Sequence, residues 1–298
     1  MMLQQLVNKA KDKSNFKDLN GFIAFCTKYL TYIRENLQAI IVSQNENHYC
    51  FYQYGKSGNF QITRPINTNL MYDATMFSKT SKEFLKILKS VKTIDKKDIA
   101  IRDILNNVTY TIQQSIGAAL DALPVGKSNT ARKLNGDLFE HFIRLIIQET
   151  GLKCKSGVVQ IPVIIDNQKL FDMNYQHDLI IEKKDDIKVI GSIKTSSKDR
   201  IDKIFIDKFL YNKLTEKQTP HIAIFLNDVQ RKNTKKENEY GINSTFLPGH
   251  FKGYTVKLNP LDGVYYCDIR PNMKTEDILK DQIKTFDNLL VEDIWKFL

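Results

Sequence analysis

An aspartate, a serine and a lysine lie toward the ends of two apolar stretches, with a spacing that could bring them together. The residues Lys184-Asp185-Asp186 have a turn composition and predict a hairpin between these stretches. With those three residues as the loop, Asp178 lies opposite Ser192, and Lys194 lies one diagonal step away on the same face. Diagonal neighbours are about 7–8 Å apart, so the carboxylate and the ammonium would both reach one bound ion or phosphate.

This combination of side chains suits phosphodiester hydrolysis. A carboxylate-bound divalent cation polarises the phosphate and generates hydroxide, and magnesium needs only one or two carboxylates because it keeps several waters. A lysine places a positive charge beside the attacking water or the developing oxyanion. Taken singly, Asp178 is more simply explained as a strand-edge acid and Lys194 as a solvated strand end, because motifs this short often match by chance.

Together, Asp178 and Lys194 resemble the active-site pair of the PD-(D/E)XK nuclease superfamily. The acid that is usual two residues before the lysine is replaced here by Ser192. A branch of type II restriction endonucleases that cut CCGG, CCNGG and CCWGG sites has this Ser-x-Lys variant. It moves the second metal-binding acid onto the following helix, thirteen or fourteen residues on. That position corresponds to Asp207, where relatives typically carry glutamate; Asp202 is a weaker substitute. Asp207 could instead be a helix acid that pairs with a neighbouring lysine.

The same branch has a glutamate on the helix that precedes the strands, and Glu140 matches it. The alternative is a surface helix residue that pairs within one turn, for example with Arg144. The resemblance thus implies Asp178 as the main metal ligand, Asp207 as the second and Glu140 as an outer acid of the metal site. It also implies Lys194 as the catalytic lysine and Mg²⁺ as the cofactor.

A basic–acidic–basic triplet, Lys198-Asp199-Arg200, follows the lysine and resembles the recognition element of EcoRII-like members. Arginine and lysine donate to guanine O6 and N7 in the major groove, and a carboxylate accepts from cytosine N4. The triplet is therefore interpreted as a reader of neighbouring G·C pairs. Its alternative is a helix N-terminus capped by Asp199 with two solvated cations.

Hydrophobic periodicity predicts an α/β (α+β) chain with a mixed central sheet flanked by helices and a mostly helical N-terminal elaboration. The order of the elements resembles the restriction-endonuclease-like core. We divide the chain at residue 126 into an N-terminal region, 1–126, and a nuclease domain, 127–298, with a C-terminal β-rich and helical extension. The predicted helices are a first helix capped by Asp18, then 79–89, 99–120, a helix from Asn135 or Asp137 to about 150, 201–217 and a terminal helix from about 275. The predicted strands are 49–54, 59–63, 158–165, 170–182, 187–194, 221–226, 254–258 and 263–269, and residues 230–239 are predicted to be a polar basic loop.

The charge composition of the chain indicates the class of molecule that it binds. The formal net charge of +10 favours an anionic partner such as nucleic acid, although a lysine-rich genome would also produce it. The four cysteines form no zinc-like pattern and are expected to be reduced in a bacterial cytoplasm. Neither a signal peptide nor a membrane span is expected. Gly126-Lys127-Ser128 lacks the earlier glycine of a phosphate-binding loop, so no nucleotide cofactor is expected.

The resemblance therefore implies a type II restriction endonuclease of a restriction–modification system. It would hydrolyse both strands of duplex DNA, with Mg²⁺, at a short palindrome containing CC/GG. A palindromic site calls for a homodimer, which could pair into a tetramer. Two alternatives stay open: another nuclease of this core for repair, junctions or modified DNA without strict specificity, and a non-catalytic DNA-binding module. The N-terminal region could contact DNA, mediate dimerisation or act as a regulatory module.

Overall fold

The N-terminal half consists mainly of helices that aspartates cap. The computed structural model describes residues 2–55, 61–124, 126–198, 201–236 and 238–298. Asp18, Asp73 and Asp98 each accept a hydrogen bond from a backbone N–H in the first turn of a helix, which satisfies an otherwise unpaired donor. The elements of this half are α1 (Leu3–Lys11), a 3₁₀ turn (Lys13–Phe16), α2 (Leu19–Asn36), β1 (Ala39–Val42), β2 (Tyr49–Tyr54), β3 (Gln61–Ile62), β4 (Ile66–Asn67), α3 (Ala74–Ser90) and α4 (Ile99–Leu120).

The C-terminal half is built on one mixed sheet. Its elements are α5 (Ser128–Glu149), β5 (Lys153–Ile165), β6 (Gln168–Lys183), β7 (Asp186–Ser196), α6 (Ile201–Thr215), β8 (His221–Asn227), β9 (Val229–Asn233), β10 (Tyr240–Ser244), α7 (Pro248–Lys257), β11 (Gly263–Tyr266), α8 (Pro271–Thr275), α9 (Leu279–Gln282), β12 (Ile283–Thr285), α10 (Phe286–Asn288), a π-helical turn (Leu289–Asp293) and α11 (Ile294–Lys296). Within the described residues the sheet has six strands in the order β12-β11-β8-β7-β6-β5. Strands β5, β6 and β7 pair antiparallel, whereas β7, β8, β11 and β12 pair parallel. The predicted α/β fold with a mixed, helix-flanked sheet is confirmed.

The hairpin between β6 and β7 has the predicted register beyond Ile181 but a shorter loop than predicted. Its loop has two residues, Lys184 and Asp185, both with positive φ, instead of the predicted three. An irregularity next to Ile181 then shifts the ladder by one residue, so Leu179 pairs with Gly191 as a three-residue loop would also require. The predicted loop length was wrong, whereas the register at Leu179 and Gly191 agrees with the prediction.

The two faces of the sheet are covered by different helices. One face joins a hydrophobic cluster that runs through α1–α5, and this cluster contains residues from both sides of position 126, such as Ile116 and Phe142. The other face packs beneath α6 and α7 through Phe205 and Phe251. The boundary at residue 126 stays a prediction. All four cysteines are buried, free thiols, and no helix of the described chain is both long and apolar enough to cross a bilayer.

Four element predictions in the C-terminal half were wrong. Helix α5 begins at Ser128, a full two turns before the predicted Asn135 or Asp137. Residues 254–258 end helix α7, because Pro248 starts a helix whose Phe251 packs into the core. Residues 230–233 of the predicted polar loop belong to strand β9, which pairs antiparallel with β10. The single terminal helix is replaced by short helical turns around β12, which extends the parallel part of the sheet.

A buried histidine pair makes the stability of this fold sensitive to acid. His221 and His177 lie beside Tyr211 under α6, and burial lowers the pKa of His221 to about 4. A histidine whose folded-state pKa lies below the usual 6.5 contributes stability that is present above pH 6.5 and is lost as pH falls toward 4. We expect about 2 kcal/mol less unfolding free energy from His221 at pH 5 than at pH 7.5.

The measurement is urea unfolding of the wild-type chain and of His221→Asn at both pH values. Asparagine keeps a donor for the Thr219 carbonyl, which the His221 Nδ1 atom contacts at 2.8 Å, but it does not titrate. The variant should show the shallower pH dependence. An identical dependence in both proteins would disprove the assignment.

Candidate active site

The ammonium of Lys194 lies between two carboxylates. Its Nζ atom contacts Oε1 of Glu140 at 3.0 Å and also bonds to Oδ2 of Asp178. All three side chains are mostly buried, with exposed fractions of 27% for Lys194, 26% for Glu140 and 15% for Asp178. Charges held this way in a partly desolvated place interact more strongly than they would in water.

A bulge in strand β6 sets the direction of the Asp178 side chain. Lys155 pairs with Ile180 and Gly157 pairs with His177, so two residues of β6, Asp178 and Leu179, oppose one residue of β5. A bulge of this kind re-aims side chains and is frequent beside active sites. The Oδ2 atom of Asp178 also accepts the backbone N–H of Ile193 at 2.9 Å, which fixes the carboxylate against β7.

Helix α5 supplies the second carboxylate, that of Glu140, and an arginine that binds the backbone of Asp178. Its buried face, which includes Phe139 and Ile143, packs in the hydrophobic core, and this leaves Glu140 on the flank that faces the ends of the strands. Burial and the neighbouring Asp178 carboxylate raise the pKa of Glu140, while the Lys194 ammonium opposes that rise. One turn further on, Nη1 of Arg144 donates to the backbone carbonyl of Asp178 at 2.9 Å. The helix therefore holds the bulged strand through a backbone contact.

For two of the other predicted residues the structure describes no contact with this ion cluster. Asp207, on α6, pairs with Lys203 of the same helix. Burial lowers the pKa of His177, and the negative charges of Asp207 and Asp178 partly offset this lowering. Both carboxylates therefore lie within electrostatic range of the His177 imidazole. Ser192 lies on β7 opposite Ala223 of β8 and is half-buried. Direct contact with Lys194 is made by Glu140 and Asp178 in the described residues.

The predicted recognition triplet is described only in part. Lys198 is exposed at the end of β7, and its Nζ atom lies 3.4 Å from Oε1 of Gln230 on β9. Asp199 and Arg200 lie outside the described residues. The preceding Ser196 and Ser197 hydroxyls both lie within hydrogen-bond distance of Thr245, so this segment is tied to the chain that follows β10.

A cleft of about 1540 Å³ opens onto Lys194 and Glu140. Its walls come from the N-terminal half, the start of α5, the end of β7 and the β9–β10 hairpin. Basic side chains outnumber acidic ones among the lining residues, which makes the cleft attractive to a polyanion. The basic ones are Arg64, Arg132, Lys133, Lys194, Lys198, Arg231 and Lys236, and the acidic ones are Asp121, Asp137, Glu140 and Glu239.

Sequence reasoning missed two features of this cleft. Arg144 was noted only as a partner for Glu140, although its spacing of four residues on the same helix face was a usable signal. The β9–β10 hairpin was missed because its strands are short and polar. Arg231 anchors this hairpin to the N-terminal half through the Ile62 carbonyl at 2.8 Å, and it also lies 5.4 Å from the Tyr240 ring.

The carboxylate oxygens of Asp178 and Glu140 beside Lys194 are ligands that suit a hard cation such as Mg²⁺. Among the described residues, no group of three or more His, Cys, Asp or Glu side chains is arranged to hold a metal. Two carboxylates, Asp178 and Glu140, nevertheless converge on one positive charge, and oxygen donors of this number suit an ion that keeps most of its waters.

Comparison with known proteins agrees with the fold. No protein-family model matches the sequence, and no curated protein matches it significantly. Among solved structures, the chain is similar to the crystal structure of the Type IIP restriction endonuclease Kpn2I, with a TM-score of 0.71 and 17% sequence identity. The alignment covers 99% of this chain and 97% of that one, so the N-terminal half is included. The chain therefore has the fold of a type II restriction endonuclease along its whole length.

Proposed function

We propose that this protein is a Mg²⁺-dependent type II restriction endonuclease that cuts both strands of duplex DNA. The observation that carries the proposal is the Lys194 ammonium, held by Asp178 and Glu140 at the wall of a basic cleft. A binding module would have no use for two buried acids beside the phosphates of its ligand, because they repel the DNA backbone. The fold shared with Kpn2I supports the same reading.

Each residue of the cluster has a chemical task in this proposal. Asp178 and Glu140 would hold the magnesium ion, which would supply Lewis-acid chemistry at the scissile phosphate and at a bound water. Lys194 orients the attacking water and keeps positive charge beside the phosphate oxygens as negative charge develops on them. Arg144 keeps the Asp178 backbone in place. In this proposal Glu140 takes the place of Asp207 as the second ligand and Asp207 becomes the outer acid, because Glu140 contacts Lys194 whereas the contact described for Asp207 is with Lys203.

The cleft binds DNA through backbone and base contacts of different residues. The basic side chains along its walls neutralise phosphates and give affinity without sequence preference. Lys198, together with Asp199 and Arg200, reads a CC/GG step in the major groove. A palindromic target is read by two symmetry-related chains, so the active form is a homodimer.

Digestion of a plasmid of known sequence tests the proposal. With Mg²⁺ present the chain should produce discrete fragments, and sequencing of their ends should reveal one short palindrome containing CC/GG. Omission of Mg²⁺ or addition of a chelator should stop the reaction. A smear or structure-dependent nicking would identify a nuclease without base-specific readout, and binding without cleavage would identify a non-catalytic module.

The roles of the two secondary acids can be separated by paired variants. Glu140→Gln removes a charge that contacts Lys194 directly, and we expect cleavage at saturating DNA to slow by about 100-fold. Asp207→Asn breaks a pair within one helix, and we expect less than about a 10-fold change. Single-turnover rates across a Mg²⁺ titration give both effects. The opposite ranking would assign the second metal-binding carboxylate to Asp207.

A further inference from the structure

Strands β5 and β6 continue beyond the sheet as a two-stranded arm. The pairing of β6 with β7 ends at Leu179, whereas its pairing with β5 runs on to the Ile165–Gln168 pair. Residues 157–177 therefore form a ribbon in which β5 and β6 pair only with each other within the described chain. We call these residues the arm. An isolated two-stranded ribbon is marginally stable in water unless one of its faces is covered.

One face of the arm is apolar over three successive pairs in its middle. The pairs on this face are Val159 with Tyr175, Ile161 with Met173, and Val163 with Phe171. The pairs on the other face are mainly polar: Val158 with Gln176, Gln160 with Asn174, and Pro162 with Asp172. Alternation of this kind is the pattern of a strand with one buried face, so the apolar face requires a cover along its full length.

Helix α6 covers only the part of this face that is nearest to the sheet. Tyr175 and Ile161 are buried and cluster with Tyr211 of α6. Met173 is half-buried, and Phe171, the next residue on the same face, is 57% exposed. The large apolar side chains at the end of the arm are equally uncovered, with exposed fractions of 56% each: Ile164, Ile165 and Leu170. The cover provided by α6 therefore ends before the large apolar side chains at the distal end of the arm.

The charge of the arm distinguishes between its possible occupants. Residues 157–177 contain one lysine and two aspartates in a chain with a net charge of +10, and Lys169 pairs with Asp172 at 2.7 Å. A surface with so little positive charge does not suit DNA. Two copies of a strongly basic chain repel each other, and this repulsion is least where they meet through their uncharged surfaces. The apolar residues occur on both strands of the arm, so one arm matches a second arm across a two-fold axis.

We propose that the distal apolar face of the arm is the interface between two copies of this chain. The choice of a second copy rests on the proposed function, which requires two active sites at a fixed position and orientation relative to each other. Strand β6 supplies that relation, because it carries Phe171 at the interface and Asp178 in the ion cluster. Two arms in contact orient two Asp178 carboxylates toward the two strands of one duplex.

Sedimentation equilibrium of the full chain without DNA tests the interface. The wild-type chain should have twice the 34.6 kDa mass of one chain at micromolar concentration. Phe171→Glu should raise the dimer dissociation constant by at least about 100-fold, because the substitution acts twice across a two-fold axis. Val256→Glu is the matched control, since Val256 on α7 is 59% exposed and lies outside the arm. Its dissociation constant should equal that of the wild type.

Circular dichroism and thermal midpoints check that both variants fold, which is expected because both positions are mostly exposed. A monomeric wild type, an unchanged dimer in Phe171→Glu, or dissociation by Val256→Glu overturns the proposal. Weaker DNA binding by Phe171→Glu with an unchanged mass would reassign the arm to a DNA contact. These results are independent of cleavage: a monomer that cuts DNA contradicts only the interface, and a dimer that cuts nothing contradicts only the nuclease.

Discussion

Replacement of Lys194 by alanine is expected to reduce the rate of DNA cleavage by at least about 10³-fold and to leave site-specific binding within about tenfold of the wild type. The ammonium contacts both Glu140 and Asp178, and it is the cation closest to the proposed metal site. Its loss removes the positive charge that opposes charge development on the phosphate. Many other cations line the cleft, so DNA affinity depends little on this one.

The matched control for this prediction is Lys188→Ala. Lys188 lies on the same strand but pairs with Asp186 at 2.7 Å near the turn, away from the cleft. Single-turnover cleavage and a competition binding assay on a site-containing duplex separate catalysis from affinity. Full cutting activity in Lys194→Ala would refute the mechanism, and so would an equal loss in Lys188→Ala.

Asp178→Asn is expected to lose at least about 10³-fold in cleavage rate and to become insensitive to Mg²⁺ concentration over the range that activates the wild type. The substitution keeps the size of the side chain and an oxygen that accepts the Ile193 N–H. It removes the negative charge that a divalent cation requires. The fold should survive, because Arg144 holds the backbone carbonyl at this position and not the carboxylate.

Asp172→Asn provides the comparison for this variant, since Asp172 lies on the same strand and is paired with Lys169 on the surface. Metal binding can be followed without turnover by isothermal titration with Mg²⁺ or Ca²⁺ in the presence of duplex DNA. Asp178→Asn should lose the heat of binding that Asp172→Asn retains. Retention of that heat by Asp178→Asn would place the metal elsewhere.

The sheet and the pair at its centre could be predicted from sequence because their signals are local. Apolar alternation marks strands, and a charged turn marks a hairpin, so Asp178 and Lys194 could be brought together by counting. The count succeeded although the loop was one residue too long, since the shift in β7 restored the register. Neither the shift nor the bulge at Asp178 has a sequence signature, because both depend on what the neighbouring strands permit.

The rest of the site depends on packing that a single sequence does not reveal. Glu140 was found through a family resemblance, and its contact with Lys194 arises from the way α5 docks on the sheet. The spacing of Asp207 matched the same resemblance, yet its described partner is Lys203, a pairing that any helix with this spacing permits. The β9–β10 hairpin could not be predicted because its strands are held by tertiary contacts such as the one from Arg231 to the Ile62 carbonyl.

Helix α5 connects the ion cluster to the helices of the N-terminal half. Phe22 of α2 stacks on Phe142 of α5 at 4.7 Å, and His141 contacts the Phe16 carbonyl at 2.9 Å. The opposite flank of the same helix carries Glu140 and Arg144. The packing of the N-terminal helices against α5 therefore helps to fix the positions of Glu140 and Arg144 relative to the sheet.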